Sequence, residues 1–152
     1  MSAEIRDEAA DGAAAQALWA EYMELVAERV EQPPSSPEAI FATPEAFADG
    51  AWLVVYDGSE PVACAGLRRL DPATGEIKRM FVTARARGHG HGRRLLAELE
   101  RRAADAGMRR VRLLTTEVLT EARELYRDAG YEVVGTPREG DRQDYWLEKR
   151  LF

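Results

Sequence analysis

The sequence predicts an α/β (α+β) fold with a mixed, mostly antiparallel sheet of about six to seven strands flanked by about four helices. Three observations carry this. Short strand-like runs alternate with segments of helical period along the chain. The runs Ala51 to Tyr56 and Pro61 to Leu67 are joined by Asp57-Gly58-Ser59-Glu60, a hairpin signal. A helical segment from Gly92 separates the strands Glu76 to Val82 and Arg110 to Thr116, which makes at least one parallel crossover.

In chain order, a short strand near Ala3 to Asp7 precedes a long amphipathic helix from Ala13 to Val30, with Leu18, Tyr22, Leu25, Val26 and Arg29 at helical spacing. It must stop before Pro33-Pro34, because consecutive prolines cannot continue a helix. Short helical turns follow up to Asp49, with Ser36 and Thr43 as N-caps ahead of Pro37 and Pro44. After the hairpin and the strand Glu76 to Val82, Leu95, Leu96, Leu99, Ala103 and Ala106 share one helical face, and Gly107 ends that helix. Arg94, Glu98 and Arg102 form opposite-charge pairs on another face. The strand Arg110 to Thr116, a helix from Thr120 to Ala129, and strands at Tyr131 to Val134 and Asp144 to Leu151 complete the order.

A chain of 152 residues with 45% hydrophobic residues suits one domain, residues 1 to 152, with one continuous core. A formal charge of -6 repels phosphate backbones and anionic lipid, so neither a nucleic acid nor a membrane is the expected partner. Basic charge is nevertheless concentrated between Arg85 and Arg102, where six arginines and two histidines suit a small anionic ligand. Cys64 is the only cysteine and the two histidines lie in a turn, so neither a disulfide nor a metal centre is expected. With no apolar leader, a reducing cytoplasmic setting follows.

The run Arg87-Gly88-His89-Gly90-His91-Gly92-Arg93 stands between a strand and a helix. Its backbone N-H groups converge at the positive end of the helix dipole, which makes an anion site, and Arg87, Arg93 and Arg94 can add charge-assisted hydrogen bonds. The alternative is a flexible connection whose glycines only permit positive φ. A triphosphate P-loop is excluded because Gly92 is followed by Arg93-Arg94 rather than Lys-Ser/Thr. A dinucleotide turn is excluded because this one follows a hairpin rather than an early strand.

Taken in order, the block Glu76-Ile77-Lys78-Arg79-Met80-Phe81-Val82, the turn Arg87-x-x-Gly90-x-Gly92, Leu95-Leu96 and Leu125-Tyr126-x-x-x-Gly130-Tyr131 resemble the GNAT superfamily of N-acetyltransferases. The resemblance covers roughly Ala51 to Val134 in detail. It implies acetyl-CoA as cosubstrate, without a metal, and an amine of a small molecule or peptide as acceptor. It also implies that the turn, Arg87, Gly88, His89, Gly90, His91, Gly92 and Arg93, holds the CoA pyrophosphate. Met80, Phe81 and Val82 would lend backbone groups to the pantetheine arm and the thioester carbonyl, their side chains being sheet core on the other reading. Leu119 stands where many members carry Asn, so an auxiliary cofactor contact is expected to be missing.

Within that resemblance Glu76 matches the general-base glutamate of some members, acting through a water because Glu76 to Met80 spans about 13 Å of strand. Its rival reading is a solvated strand carboxylate paired with Lys78, two residues on and on the same face. Tyr126 matches the general acid of many relatives, and a phenol suits protonation of a thiolate, while a packed aromatic is the alternative. His89 and His91 are read as solvated or phosphate-facing, and Cys64 as a small core residue. Relatives shape the acceptor site from the first helices and last strands, here Trp19, Tyr22, Glu31 to Asp49 and Arg138 to Trp146. Two other functions remain open: a CoA-binding regulatory domain without chemistry, and transfer of a longer acyl group. The reading leaves room for a homodimer.

Overall fold

The computed structural model describes residues 3–29, 44–116, 120–135 and 144–152. In chain order these form β1 (Glu4–Asp7), α1 (Ala13–Arg29), a 3-10 turn (Pro44–Phe47), β2 (Ala51–Asp57), β3 (Glu60–Asp71), β4 (Thr74–Val82) and a second 3-10 turn (Ala84–Ala86). Then follow α2 (His91–Asp105), β5 (Arg110–Thr116), α3 (Thr120–Asp128), β6 (Glu132–Gly135) and β7 (Asp144–Arg150). One seven-stranded sheet runs in the order β1-β2-β3-β4-β5-β7-β6. Every neighbouring pair is antiparallel except β4 and β5, which run parallel across α2 as the crossover requires.

The strands of the β3/β4 hairpin extend further toward their shared turn than the sequence reading placed them. Asp71 Oδ1 accepts a hydrogen bond from Ala73 N at 2.8 Å, closing a tight turn that lets Arg68, Arg69 and Asp71 join the ladder. The helical turn expected after Thr43 is the 3-10 turn at Pro44. The one expected near Ser36, and the cap at Thr43 itself, fall outside the described residues, as does Leu119.

Period-two alternation sorts the strands between two layers. Leu53, Val55, Ala63, Leu67, Ile77 and Leu113 face α2, whose Leu95, Leu96, Leu99 and Ala103 are buried against them. Each leucine buried here contributes about 1.5 to 3 kcal/mol. Trp52, Val54, Cys64 and Phe81 face the other way, against Leu18 of α1 and Phe47. α2 is tied down at both ends of the sheet. Arg102 donates to Asp7 of β1 at 2.7 Å, and Glu100 accepts from Tyr131 Oη and Lys149 Nζ, each at 2.9 Å. The charge pairs on α2 join Glu98 to Arg101 and Arg102.

Candidate active site

β4 and β5 pair from Thr74 and Arg110 to Ile77 and Leu113, and the ladder then ends although both strands continue. Beyond that point the side of β4 facing β5 has backbone groups without a ladder partner among the described residues. A bulge re-aims the strand at the same place. Gly66 opposes Lys78 and Cys64 opposes Phe81, so β4 carries one extra residue there. Arg79 absorbs it at φ 57, an unfavourable conformation for a side chain of this type. The result is a V between parallel strands, edged by Met80, Phe81 and Val82.

The N-terminus of α2 faces the mouth of this V. Its cap residue is Gly90 at φ 80, with no side-chain cap bond and no acidic residue in the first turn. Arg94 N bonds Gly90 O at 3.0 Å, so the N-H groups ahead of it lie before the first intrahelical bond. Arg93 adds a positive charge where the helix dipole is already positive. An isolated helix is destabilised by that arrangement; a bound anion reverses the sign. Gly92 eases the close approach of α2, since a Cβ there would stand 3.0 Å from Leu125 Cδ2 and 3.3 Å from Val82 Cγ2 and both side chains would have to give way.

Together these elements enclose a cleft of about 480 Å³. Gly88, Gly90, His91 and Arg93 line one end, Met80, Phe81 and Val82 the β4 edge, and Tyr22, Leu125 and Tyr126 the far wall. The size and shape suit a long ligand with an anionic end and an apolar arm. Tyr126 is buried, on the helix face it shares with Ala122 and Leu125, and its ring meets Tyr131 edge-on at 5.9 Å. Burial, then the nearby Tyr22, raises the Tyr126 phenol well above the ordinary tyrosine range, so it stays protonated at any physiological pH.

Most of the residues expected at the site are thus brought together: Met80, Phe81, Val82, Arg87, Gly88, Gly90, His91, Gly92, Arg93 and Tyr126 line one cleft. Phe81 also serves as core, 8% exposed and edge-on to Tyr22 at 5.6 Å. His89 is exposed and stands outside the lining. Arg94, expected to reach the anion, turns instead to the carbonyl of Ala3. Glu76 is buried on the α1 face of the sheet, outside the lining of the cleft, and accepts from Arg68 Nε at 2.7 Å with Lys78 Nζ at 3.9 Å. The pairing with Lys78 therefore exists, but the carboxylate is buried rather than solvated, because Arg68, which only the hairpin register places opposite, is the stronger partner and lets the charge leave water. Cys64 is buried in the core, and desolvation pushes its thiol up to about 12. Tyr22 and Leu25 of α1 also line the cleft; of the two, sequence reasoning had placed only Tyr22 near a site, that of the acceptor.

The split in the sheet and the uncapped helix terminus thus meet at one cleft. The chain belongs to the GNAT acetyltransferase family: the model of the acetyltransferase (GNAT) family matches residues 13–131. A Xenopus tropicalis relative named "Probable N-acetyltransferase 14" is 36% identical over 85 residues, which are 55% of this chain and 41% of that protein. The chain thus spans less than half the length of that relative. A Klebsiella pneumoniae structure assigned as an acyl-CoA N-acyltransferase superposes with a TM-score of 0.78 at 26% identity, over 99% of this chain and 98% of the other. A GNAT family acetyltransferase of Elizabethkingia anophelis, whose crystal structure has acetyl-CoA bound, shares the fold with a TM-score of 0.72 at 18% identity, over 97% of each chain. Membership of the family supports transferase activity. Among the described residues no helix is long and apolar enough to cross a membrane.

Proposed function

We propose that the protein is an N-acetyltransferase that takes the acetyl group of acetyl-CoA and transfers it to a primary amine of a small molecule or peptide, the whole chain acting as one cytoplasmic domain. The observation that supports this best is the convergence on one cleft of an uncapped, arginine-bearing helix terminus, a stretch of β4 beyond the end of its ladder with β5, and a buried tyrosine.

In this reading the main-chain N-H groups at His91, Gly92 and Arg93, with Arg87 alongside, hold the pyrophosphate of CoA. The open edge of β4 at Met80 to Val82 hydrogen-bonds the amide-rich arm and polarises the thioester carbonyl. The amine nitrogen attacks the carbonyl carbon, forming the C-N bond, and the C-S bond breaks. Tyr126 donates its proton to the departing sulfur; burial keeps the phenol protonated, so the proton is present when the C-S bond breaks. The proton of the amine leaves through water. Glu76 is the terminus of that path only if a water bridges it to the cleft; its bond to Arg68 supports the alternative, that it anchors the first half of β4.

Thiol release from acetyl-CoA, measured across amino acids, peptides, polyamines and aminoglycosides and repeated with longer acyl-CoAs, tests this reading. Amine-dependent release is expected with acetyl-CoA. CoA binding without release from any amine would instead make the protein a regulatory CoA-binding domain.

A further inference from the structure

Arg79 stands in a conformation that its residue type resists. Among the described residues the other positive-φ positions, Gly58, Gly88, Gly90, Gly107 and Gly130, are glycine, and Arg79, at φ 57, is the exception. Its charge is held at a further cost, because the side chain is half-buried and desolvation lowers the pKa of the guanidinium. A glycine would form the same bulge without either penalty, so the side chain has to supply something in return. What it supplies is a hold on α1. The guanidinium lies 4.2 Å from the Trp19 ring centre, within cation-π range. Trp19 stacks on Tyr22 of the neighbouring turn at 5.0 Å, and Tyr22 meets Phe81 edge-on at 5.6 Å. Phe81 follows Arg79 closely on β4, so Arg79, Trp19, Tyr22 and Phe81 form a closed circuit that clamps the bulged stretch to α1. On the neighbouring strand, the Arg79 carbonyl accepts from the Cys64 thiol at 3.8 Å, a weak bond that ties the same residue to β3.

The circuit spans two compartments. Arg79, Trp19 and Trp52 line a second cavity of about 370 Å³, whose lining shares only Phe81 with that of the cleft, while Tyr22, Met80 and Phe81 line the cleft itself. Arg79 thus stands outside the cleft lining and acts on it through Met80, the next residue, and through the Phe81 and Tyr22 rings. We infer that Arg79 is a positioning residue for acetyl transfer: held on Trp19, it fixes the bulge so that the β4 edge from Met80 to Val82 stays aimed at the thioester carbonyl. The inference rests on the acetyl-transfer reading above and adds to it the side chain that holds the polarising edge in place. A displacement of about 1 Å at such an edge is enough to cost about 10² in rate.

The carbonyl itself reports on this without turnover. Infrared difference spectra of acetyl-CoA isotopically labelled at the thioester carbonyl, bound to the whole chain with no amine present, are expected to show the carbonyl stretch lower than in water, because the β4 edge weakens the C=O bond. Two variants break the circuit from opposite ends. Arg79→Gly suits φ 57 but lets go of Trp19, and Trp19→Leu removes the ring from α1 and carries the test should Arg79→Gly not fold. In each, the lowering is expected to shrink by about half or more, and single-turnover acetylation at saturating amine and acetyl-CoA to fall by about tenfold or more, with KM for the amine nearly unchanged. The double variant is expected to match the larger single loss, since both substitutions break one circuit. A lower denaturation midpoint with the carbonyl frequency and the rate unchanged overturns the inference, because the circuit then only packs α1 on the sheet. A raised KM for the amine at constant kcat also overturns it, because Arg79 would then touch the acceptor. Acetyl transfer stands in both of those outcomes. A wild-type carbonyl stretch equal to that in water overturns the inference as well. A carbonyl shift that depends on Arg79 and Trp19, without thiol release from any amine, upholds Arg79 as the residue that positions the β4 edge and overturns the acetyl-transfer reading.

Discussion

At the scale of single residues, burial decides what each titratable group is able to do. Tyr126 is removed from water and so holds its proton, which fits a donor to sulfur and excludes a phenolate base. Tyr126→Phe keeps the ring and the packing against Tyr131 but removes that proton. Single-turnover rates are expected to fall by about 10² to 10⁴ with CoA affinity nearly unchanged; a wild-type rate with chemistry limiting would make Tyr126 only a wall of the cleft. Cys64 shows the same physics without a function. Its thiol moves from the ordinary value of 9.0 to about 12 through desolvation. Because the folded value is the higher one, the neutral thiol favours the folded state below pH 9, and that contribution is lost as pH rises from 9 toward 12. Native protein at pH 8 should therefore resist alkylation of Cys64 until it is unfolded, and its urea midpoint should decline above pH 9. Rapid labelling of folded protein would contradict the burial.

At the scale of elements, β4 divides into two functional halves. Its first half is locked between β3 and β5, with Glu76 opposite Arg68 on one side and Arg112 on the other. Its second half is bulged, freed from β5 and turned toward the cleft. Glu76→Gln should therefore act on the first half. Losing a charged hydrogen bond to Arg68 is expected to cost about 1.5 to 3 kcal/mol of stability, seen as a lower denaturation midpoint, while the acetyl-transfer rate changes less than tenfold. A rate loss of about 10² with unchanged stability, recovered at high pH, would instead return Glu76 to the role of base. α2 is likewise built for two tasks. Its Leu95, Leu96 and Leu99 face fixes it to the sheet, and its first turn carries arginine where a stabilised helix would carry Asp or Glu.

At the scale of the whole molecule, the elements that the sequence made legible are those whose signal is local. Apolar runs of period two and the Leu95, Leu96, Leu99 face announced the strands and α2, and Gly90 with Gly92 announced the glycine turn that opens α2. The features that remained hidden depend on register. Nothing about Arg79 as a residue type signals positive φ, and the bulge is visible only when β3 and β4 are laid side by side. The Arg68 to Glu76 bond needs the hairpin register, and the end of the β4 to β5 ladder at Ile77 needs the whole sheet. The cavity beside Trp19 and Trp52 joins residues from α1 and β2 that no local pattern links.

The central claim is that the uncapped terminus of α2 receives the pyrophosphate of CoA, and calorimetric titration of CoA into the wild type and into Gly90→Asp tests it most directly. A Cβ at this position meets nothing within 4 Å, so the substitution acts through strain at φ 80 and the negative charge it brings to the helix terminus. Saturable binding to the wild type, with a thermal stabilisation of about 2.7 kcal/mol at a hundredfold excess over Kd, and loss of both in a folded Gly90→Asp are the predicted results. An unchanged Kd in folded Gly90→Asp would contradict the account, because the cofactor would then lie elsewhere.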